Sequence, residues 1–522
     1  MLKKLHGRKL AVCLIGGAMY ALFSAFGWQA EHGGVIWAGG ALLVAALLVW
    51  PIAALLAVLL ERGYMRALRQ EKTFRAGRAF AFMLACYVPM FCVAFPGSFA
   101  YDVPYQLRQV VTGAYSTHHP LLHTLALGGL LQLGRALGDI NLGAALYTAL
   151  QMALLAGCFA LTCGSIARQS GARAAKRAAV FFALYPLNMV MAVNATKDVL
   201  FGGFFALTLA LLNEIQEKPS RGLALKIAAC GALAVMLRNN MAYAALVWLA
   251  LLTIGLRKGE KSAALAMLLA LAVGLCGNAA LKRATRAESG DMSEMLSWPI
   301  QQLARARLYD EERLTDAEKE AIDELMPGEA WACYDPTISD PVKFEFDTQA
   351  FRADVKKYVG VWLSVGKKCA GTYLDATMAL TYPFFYPYRE YRVSGYYVQM
   401  GMSDAYDAGW CDFDPPESRS LFPRALASLS WRFGAKGAMQ IPVVGWLFNM
   451  GVIVWTMLFF ALREMYWGRW RRFGTALLPV LLWGTFLLGP VMAGRYIYPF
   501  VCALPVLAAR PGRSVKEAER HG

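Results

Sequence analysis

Charge is scarce in this chain. Asp, Glu, Lys and Arg supply 17% of its 522 residues while hydrophobic residues supply 57%; a soluble domain carries roughly 25% charge, so a water-soluble globular protein is excluded. Acidic residues are scarcer than basic ones, 36 against 52, and 24 of the 36 lie within 282–438, which leaves the rest of the chain almost without carboxylates. No CxxC pair or His–Cys spacing of a structural metal site is present. There is no internal repeat and no low-complexity tract, which excludes a solenoid. The formal net charge of +16 is not gathered on a compact face with interleaved aromatics, so nucleic acid is not an expected partner.

Long apolar runs fill the space that charge leaves. A helix rises 1.5 Å per residue and a hydrocarbon core is roughly 30 Å thick, so about 20 apolar residues cross it. Such runs predict membrane spans near 10–27, 34–60, 79–95, 142–165, 178–194, 199–215, 222–237, 241–256, 262–281, 440–462, 473–491 and 495–509. The expected fold is an all-α polytopic membrane protein with about twelve transmembrane helices. It divides into an N-terminal bundle (1–281) with an outer loop at 96–141, an α-rich extracytoplasmic domain (282–438), and C-terminal helices with a tail (439–522).

Basic loops alternate. Lys3, Lys4, Arg8 and Lys9 precede the first span, Arg62 to Arg78 follow the second, Arg168 to Arg177 the fourth, and Arg463 to Arg472 the tenth. Loops rich in Lys and Arg stay in the cytoplasm, which places both termini there and the 282–438 segment outside. The alternation holds only if the apolar stretch 120–137 lies along the outer interface and does not cross. The first span reads as an uncleaved anchor, because Trp28 and Gln29 spoil the cleavage region of a signal peptide.

Within 282–438, Thr315-Asp-Ala-Glu318 reads as a capping box opening a charged helix. Phe351 to Leu380 is a second helical candidate. The aromatics Tyr382, Phe384, Phe385, Tyr386, Tyr388, Tyr391, Tyr396 and Tyr397 form an expected rim against headgroups or a sugar. Cys333, Cys369 and Cys411 lie where oxidation is permitted, so one disulfide and one spare thiol are expected, the pairing being open.

Three of the six histidines, His118, His119 and His123, fall in the first outer loop together with Asp102. Ionisable groups at the end of a membrane helix are functional candidates by default. Asp102 follows Pro96-Gly97, which ends a helix, and precedes Val103-Pro104, which starts another. Partial desolvation there is expected to raise its basicity and suit it to deprotonate a hydroxyl. The competing role is a helix N-cap. Tyr105 to Thr112 reads as a short amphipathic helix closed by Gly113, and Pro120 opens the interfacial helix, with His119 and His123 one turn apart and an N-terminus suited to an anion. Lys197, Asp198, Arg238, Arg495 and Tyr496 sit at other predicted outer helix ends. Lys197 and Asp198 are either functional or a simple interfacial ion pair, whereas Arg238 and Arg495 lie where topology disfavours basic residues, so a substrate is the expected partner of Arg238 and a phosphate that of Arg495.

The acidic residue at the end of the third span, the short helix, and His119-Pro120-Leu121 opening an interfacial helix resemble the first periplasmic loop of the GT-C superfamily, polytopic glycosyltransferases that use polyprenyl-phosphate sugars and include the protein O-mannosyltransferases and the aminoarabinose transferase. Asn194-Ala-Thr-Lys197-Asp198 and Gly494-Arg495-Tyr496-Ile-Tyr498-Pro499 are further points of similarity. The His-His-Pro-Leu-Leu-His block is similar to that of a group of poorly characterised bacterial membrane proteins related to these enzymes. The resemblance implies a multi-pass protein of the bacterial cell membrane that moves a sugar with inversion from a polyprenyl-phosphate carrier to a lipid or envelope-glycan acceptor on the outer face. Asp102 is then the base, and His118, His119, His123, Lys197, Asp198, Arg238, Arg495 and Tyr496 hold donor phosphate or substrate. Val103 stands where the family has a second acidic residue, which argues against a paired-carboxylate metal site, although a divalent cation on the histidines stays open. The alternatives are a lipid or polysaccharide transporter, which should place its ionisable groups near the midplane, and a surface-polysaccharide ligase or polymerase.

Overall fold

The computed structural model describes residues 5–32, 38–62, 74–253, 258–387, 398–402, 415–434, 441 and 443–510. Among them the chain is 80% helical and forms no strand. The N-terminal part comprises α1 (Arg8–Glu31), α2 (Ala38–Arg62), α3 (Ala76–Ala94), α4 (Val103–Thr112), α5 (Leu121–Ala136), α6 (Ile140–Ser170), α7 (Ala172–Leu184), α8 (Pro186–Ala192), α9 (Lys197–Glu217), α10 (Arg221–Leu237), α11 (Asn239–Thr253) and α12 (Lys258–Thr285). The polar segment contributes α13 (Ser297–Tyr309), α14 (Asp316–Leu325), α15 (Asp340–Lys343), α16 (Thr348–Ala353), α17 (Val355–Lys368), α18 (Ala370–Thr381) and α19 (Pro423–Gly434); α20 (Met450–Tyr466), α21 (Trp470–Leu487) and α22 (Tyr498–Ala508) close the chain.

Six of these helices, α1, α2, α3, α6, α9 and α12, are long and apolar enough to cross a membrane. Their outward faces are apolar: on α6, Leu142, Leu146, Leu150, Leu154 and Leu161 are exposed while Leu155, Phe159 and Cys163 are buried. Leucines repeating every fourth residue on an exposed face suit lipid and not water. This is a membrane protein.

Six of the predicted spans, 10–27, 34–60, 79–95, 142–165, 199–215 and 262–281, coincide with these six helices, residues 34–37 lying outside the described ones; the other six fall in large part on helices that are shorter or less apolar, and one of them is broken. The stretch 178–194 is two helices, because Pro186 supplies no N–H and holds Tyr185 extended (φ −65°, ψ 121°). The Asn188 amide donates to the carbonyls of Phe181 and Phe182, and Tyr87 Oη adds a bond of 2.8 Å to Phe182, so the break leaves no orphaned acceptor there. The stretch 120–137 forms α5, which packs on α4 and α6. At the α5–α6 crossing, Gly134 and Gly143 let the two backbones touch: a Cβ on Gly143 would lie 2.2 Å from the Leu130 carbonyl oxygen. The most buried helix is α9, enclosed by α6, α10, α21 and α22.

Residues of α13, α14, α17 and neighbouring turns build a separate small core around Ile300, Leu303, Ile322, Leu325 and Val365. The predicted capping box is formed, with Thr315 and Glu318 bonding each other's backbone N–H. The expected aromatic rim is corrected at its start. Tyr382, Phe384, Phe385 and Tyr386 are buried in the main membrane core against α1 and α20, because Gly27 and Gly451 leave room for Tyr386; Tyr388, Tyr391, Tyr396 and Tyr397 lie outside the described residues. Cys333 and Cys369 are both free thiols, and Cys411 lies outside the described residues. The pair α1–α2 packs on α20, pinned by Lys9 to Glu61 (2.8 Å) and Tyr466 to Glu61 (2.7 Å).

Candidate functional site

Three loops meet at one end of the bundle. The Phe95–Pro96 peptide is cis, Gly97 has φ +142° beside Thr148, and the chain then runs as an extended segment next to the α8–α9 turn. Ser98 N donates to Val193 O (2.8 Å) and Ala195 N to Ser98 O (2.8 Å). These two bonds fix Asp102 relative to Lys197 and Asp198 at the start of α9. From the other side, the loop after α21 brings in Arg495 and Tyr496 on a short 3-10 turn, Gly494–Ile497. Arg238 ends α10.

Asp102 is not a cap: its side chain makes no bond to the start of α4. Its Oδ2 accepts from Lys197 Nζ at 2.7 Å and its Oδ1 from Arg495 Nη2 at 3.2 Å, with His119 Nδ1 3.7 Å from Oδ2. Burial raises the carboxyl's pKa, but Arg495 and then Lys197 outweigh it and hold the group well below the usual carboxylate range. The expected gain in basicity is thereby corrected. Desolvation acts in that direction, and two cations reverse it.

Asp198, fully buried, pairs with Arg238 and lies 3.9 Å from Arg495 Nε, while Thr196 Oγ1 donates to it at 3.3 Å. The Arg238 guanidinium stacks on Phe486 (4.4 Å) and Tyr496 (4.5 Å), and that of Arg495 on Tyr101 (4.5 Å) and Tyr496 (5.3 Å). Three cations thus face two carboxylates in a cluster whose Asp198, Arg238 and Arg495 are buried and whose Asp102 and Lys197 are partly exposed. The Arg238 Nε and Arg495 Nη1 are buried with no hydrogen-bond acceptor, although a buried guanidinium N–H is costly to leave unsatisfied.

The histidines separate. His119 is buried and turned toward Asp102; burial pushes its imidazole down to about 3, against the pull of Asp102. His123 is also buried and pushed down to about 3, but it faces away, 3.0 Å from Gln106 Oε1 and 2.9 Å from Tyr147 Oη. Tyr147 donates to Gln151 Oε1 (3.0 Å), and the Gln151 amide donates to the carbonyls of Ala192 (3.0 Å) and Asn194 (2.8 Å). His123 therefore supports the loop that carries Lys197 and stays out of the charged cluster. His118 is exposed, 3.9 Å from Glu294. Among the described residues no three His, Cys, Asp or Glu groups could hold a metal ion, and the one carboxylate near His119 already has two cations. The residues do not fit a divalent cation.

The structure thus brings together Asp102, His119, Lys197, Asp198, Arg238, Arg495 and Tyr496, and leaves His118 and His123 at the edge. Sequence reasoning missed Tyr101 and Phe486, the rings under the two guanidiniums, and the Gln106–Tyr147–Gln151 network. Gln151 carried a signal, since an amide in the middle of an apolar span needs partners.

The chain belongs to a family of unknown function, DUF6020, whose family model matches residues 109–521. The match begins just past Asp102 and includes every other member of the cluster. No curated protein and no solved structure matches the chain.

Proposed function

We propose that this protein is a GT-C-type membrane glycosyltransferase that moves a sugar from a polyprenyl-phosphate carrier to an envelope glycan or lipid. The observation that carries the proposal is the pair of buried guanidiniums, Arg238 and Arg495, whose Nε and Nη1 find no acceptor while Lys197 stands beside them. An anion with several acceptor oxygens satisfies these donors, and the excess of one cation over the carboxylates offsets its charge. A phosphate on a lipid carrier reaches such a cluster at a helix end from the bilayer side.

In the reaction, the acceptor O–H breaks and a new C–O bond forms at the anomeric carbon, as the bond from that carbon to the phosphate oxygen breaks. Negative charge grows on the leaving phosphate, where Arg495, Arg238 and Lys197 stabilise it. The phosphate takes N–H groups of Arg495 and Lys197 that Asp102 leaves unused, so the carboxylate stays paired with both cations. On this proposal the chain crosses the cell membrane about twelve times with both termini in the cytoplasm, and the α13–α18 domain and the cluster face outside. The experiment is transfer in proteoliposomes from a panel of synthetic polyprenyl-phosphate hexoses and pentoses to extracted envelope glycan and lipid. Release of polyprenyl phosphate with glycosylation of an acceptor supports the proposal; intact donors throughout, with no binding of polyprenyl phosphate, contradict it.

A further inference from the structure

Both oxygens of Asp102 are already occupied, Oδ2 by the Lys197 ammonium at 2.7 Å and Oδ1 by the Arg495 guanidinium at 3.2 Å. A carboxylate so held is a poor acceptor for a further proton. Beside it stands a better-placed group. His119 turns Nδ1 toward Asp102 Oδ2 at 3.7 Å, and Nδ1 is sealed from solvent with no hydrogen-bond partner, so the carboxylate is the acceptor it faces. The ring's remaining accessibility, 6% of the residue, leaves Nε2 as the nitrogen that a ligand can reach. The neighbouring ring of His118, edge-on at 4.5 Å, is exposed and leads outward.

We infer that His119, oriented by Asp102, is the group that takes the acceptor's proton. This rests on the proposed glycosyl transfer and names its base. Nδ1 faces Asp102 Oδ2 across 3.7 Å, too long for a hydrogen bond; on our inference the gap closes when substrate binds, which places the proton on Nδ1 and leaves the Nε2 lone pair free, the arrangement that a carboxylate imposes on a catalytic imidazole. The acceptor hydroxyl gives its proton to Nε2 while its oxygen bonds to the anomeric carbon and the carrier phosphate leaves with the electron pair. The resulting imidazolium is paired with Asp102, and the proton then passes to water at the outer face. Asp102 acts through His119 and is a positioning residue; it stays paired with Lys197 and Arg495, whose remaining N–H groups face the phosphate as charge develops there.

The test compares His119→Asn, Asp102→Asn and the double variant, using the donor and acceptor that the wild-type protein turns over. Asparagine at 119 keeps an N–H near the Nδ1 position and removes Nε2. The expected result is binding of polyprenyl phosphate as in wild type and turnover lower by roughly two or more orders of magnitude in each single variant, the scale for loss of a general base. The double variant should be no slower than the slower single one. A second measurement uses His119→Ala, in which added imidazole should restore part of the turnover. Near wild-type turnover in His119→Asn with Asp102→Asn inactive overturns the inference, making Asp102 itself the base while the glycosyltransferase proposal stands. Failure of imidazole to restore any turnover in folded His119→Ala also counts against it. If wild-type protein transfers nothing and binds no polyprenyl phosphate, the proposal beneath the inference falls as well.

Discussion

Lys197 Nζ and Asp102 Oδ2 lie 2.7 Å apart although 95 residues separate them in sequence. The contact ties the first outer loop to the start of the most buried helix, and with Arg495 at 3.2 Å it joins three distant segments at one carboxylate. Removing that carboxylate leaves the buried Arg495 and the partly exposed Lys197 without the counter-charge they share. Asp102→Ala should therefore destabilise the folded protein by about 1–3 kcal/mol, the scale for stranding charged donors, with solvent at the partly exposed Asp102 keeping it below the cost of breaking a fully buried pair. Asp102→Asn should cost less, since an amide oxygen can still accept from one cation. Thermal unfolding in detergent, followed by intrinsic fluorescence, compares the two variants with wild type. Equal stability of Asp102→Ala and wild type contradicts the coupling.

Arginine at 495 should not be replaceable by lysine. Its guanidinium bonds Asp102, lies near Asp198 and stacks on Tyr101 while Nε and Nη1 keep their N–H groups without an acceptor, and a single ammonium cannot reproduce that fork. Arg495→Ala should lose more in kcat than in acceptor KM, and Arg495→Lys should recover only part. Full activity in both variants removes Arg495 from phosphate stabilisation.

Much of this site was legible in the sequence. Asp102, Lys197 and Arg495 stood out because each is ionisable at a predicted helix end, and the membrane map placed all three ends on one face. Six of the predicted spans coincide with helices long and apolar enough to cross a membrane, because apolar runs of that length have few alternatives to helix. Two kinds of error have physical causes. Asp102 was expected to gain basicity because desolvation can be read from position, whereas its cations come from segments 95 and 393 residues away, beyond any local pattern. The aromatics 382–386 were expected on a surface because composition cannot tell a headgroup belt from a core; burial here depends on Gly27 and Gly451 admitting Tyr386. His118, His119 and His123 were adjacent in sequence and alike in character, yet only His119 faces the cluster.

The α5–α6 contact offers a check on how the loop bearing His119 is held. With Gly134 and Gly143 in backbone contact, a side chain at Gly143 has no free space. Gly143→Leu should push α5 away, destabilise the protein by at least the roughly 1–3 kcal/mol typical of overpacking, and lower turnover together with stability. Thermal unfolding and the transfer assay read both. A stable, active Gly143→Leu variant contradicts the close approach.

Sidedness follows from the alternating basic loops and is tested by single cysteines in a cysteine-free background. Ala114→Cys lies in the outer loop next to the histidines, and Lys176→Cys lies on exposed α7 beyond the far end of α6. A membrane-impermeant maleimide applied to intact cells should label position 114 and spare position 176 until the membrane is opened. Labelling of 176 alone inverts the map and puts the cluster in the cytoplasm.

The most direct measurement is a cryo-EM map of the full protein in nanodiscs with polyprenyl phosphate bound. The phosphate is predicted to lie against Arg495, Arg238 and Lys197, accepting from the free N–H groups of the two arginines, with the isoprenoid chain running out between helices into lipid. A lipid phosphate bound elsewhere, with the Asp102–Lys197–Arg495 cluster unchanged and empty, would contradict the assignment of this site.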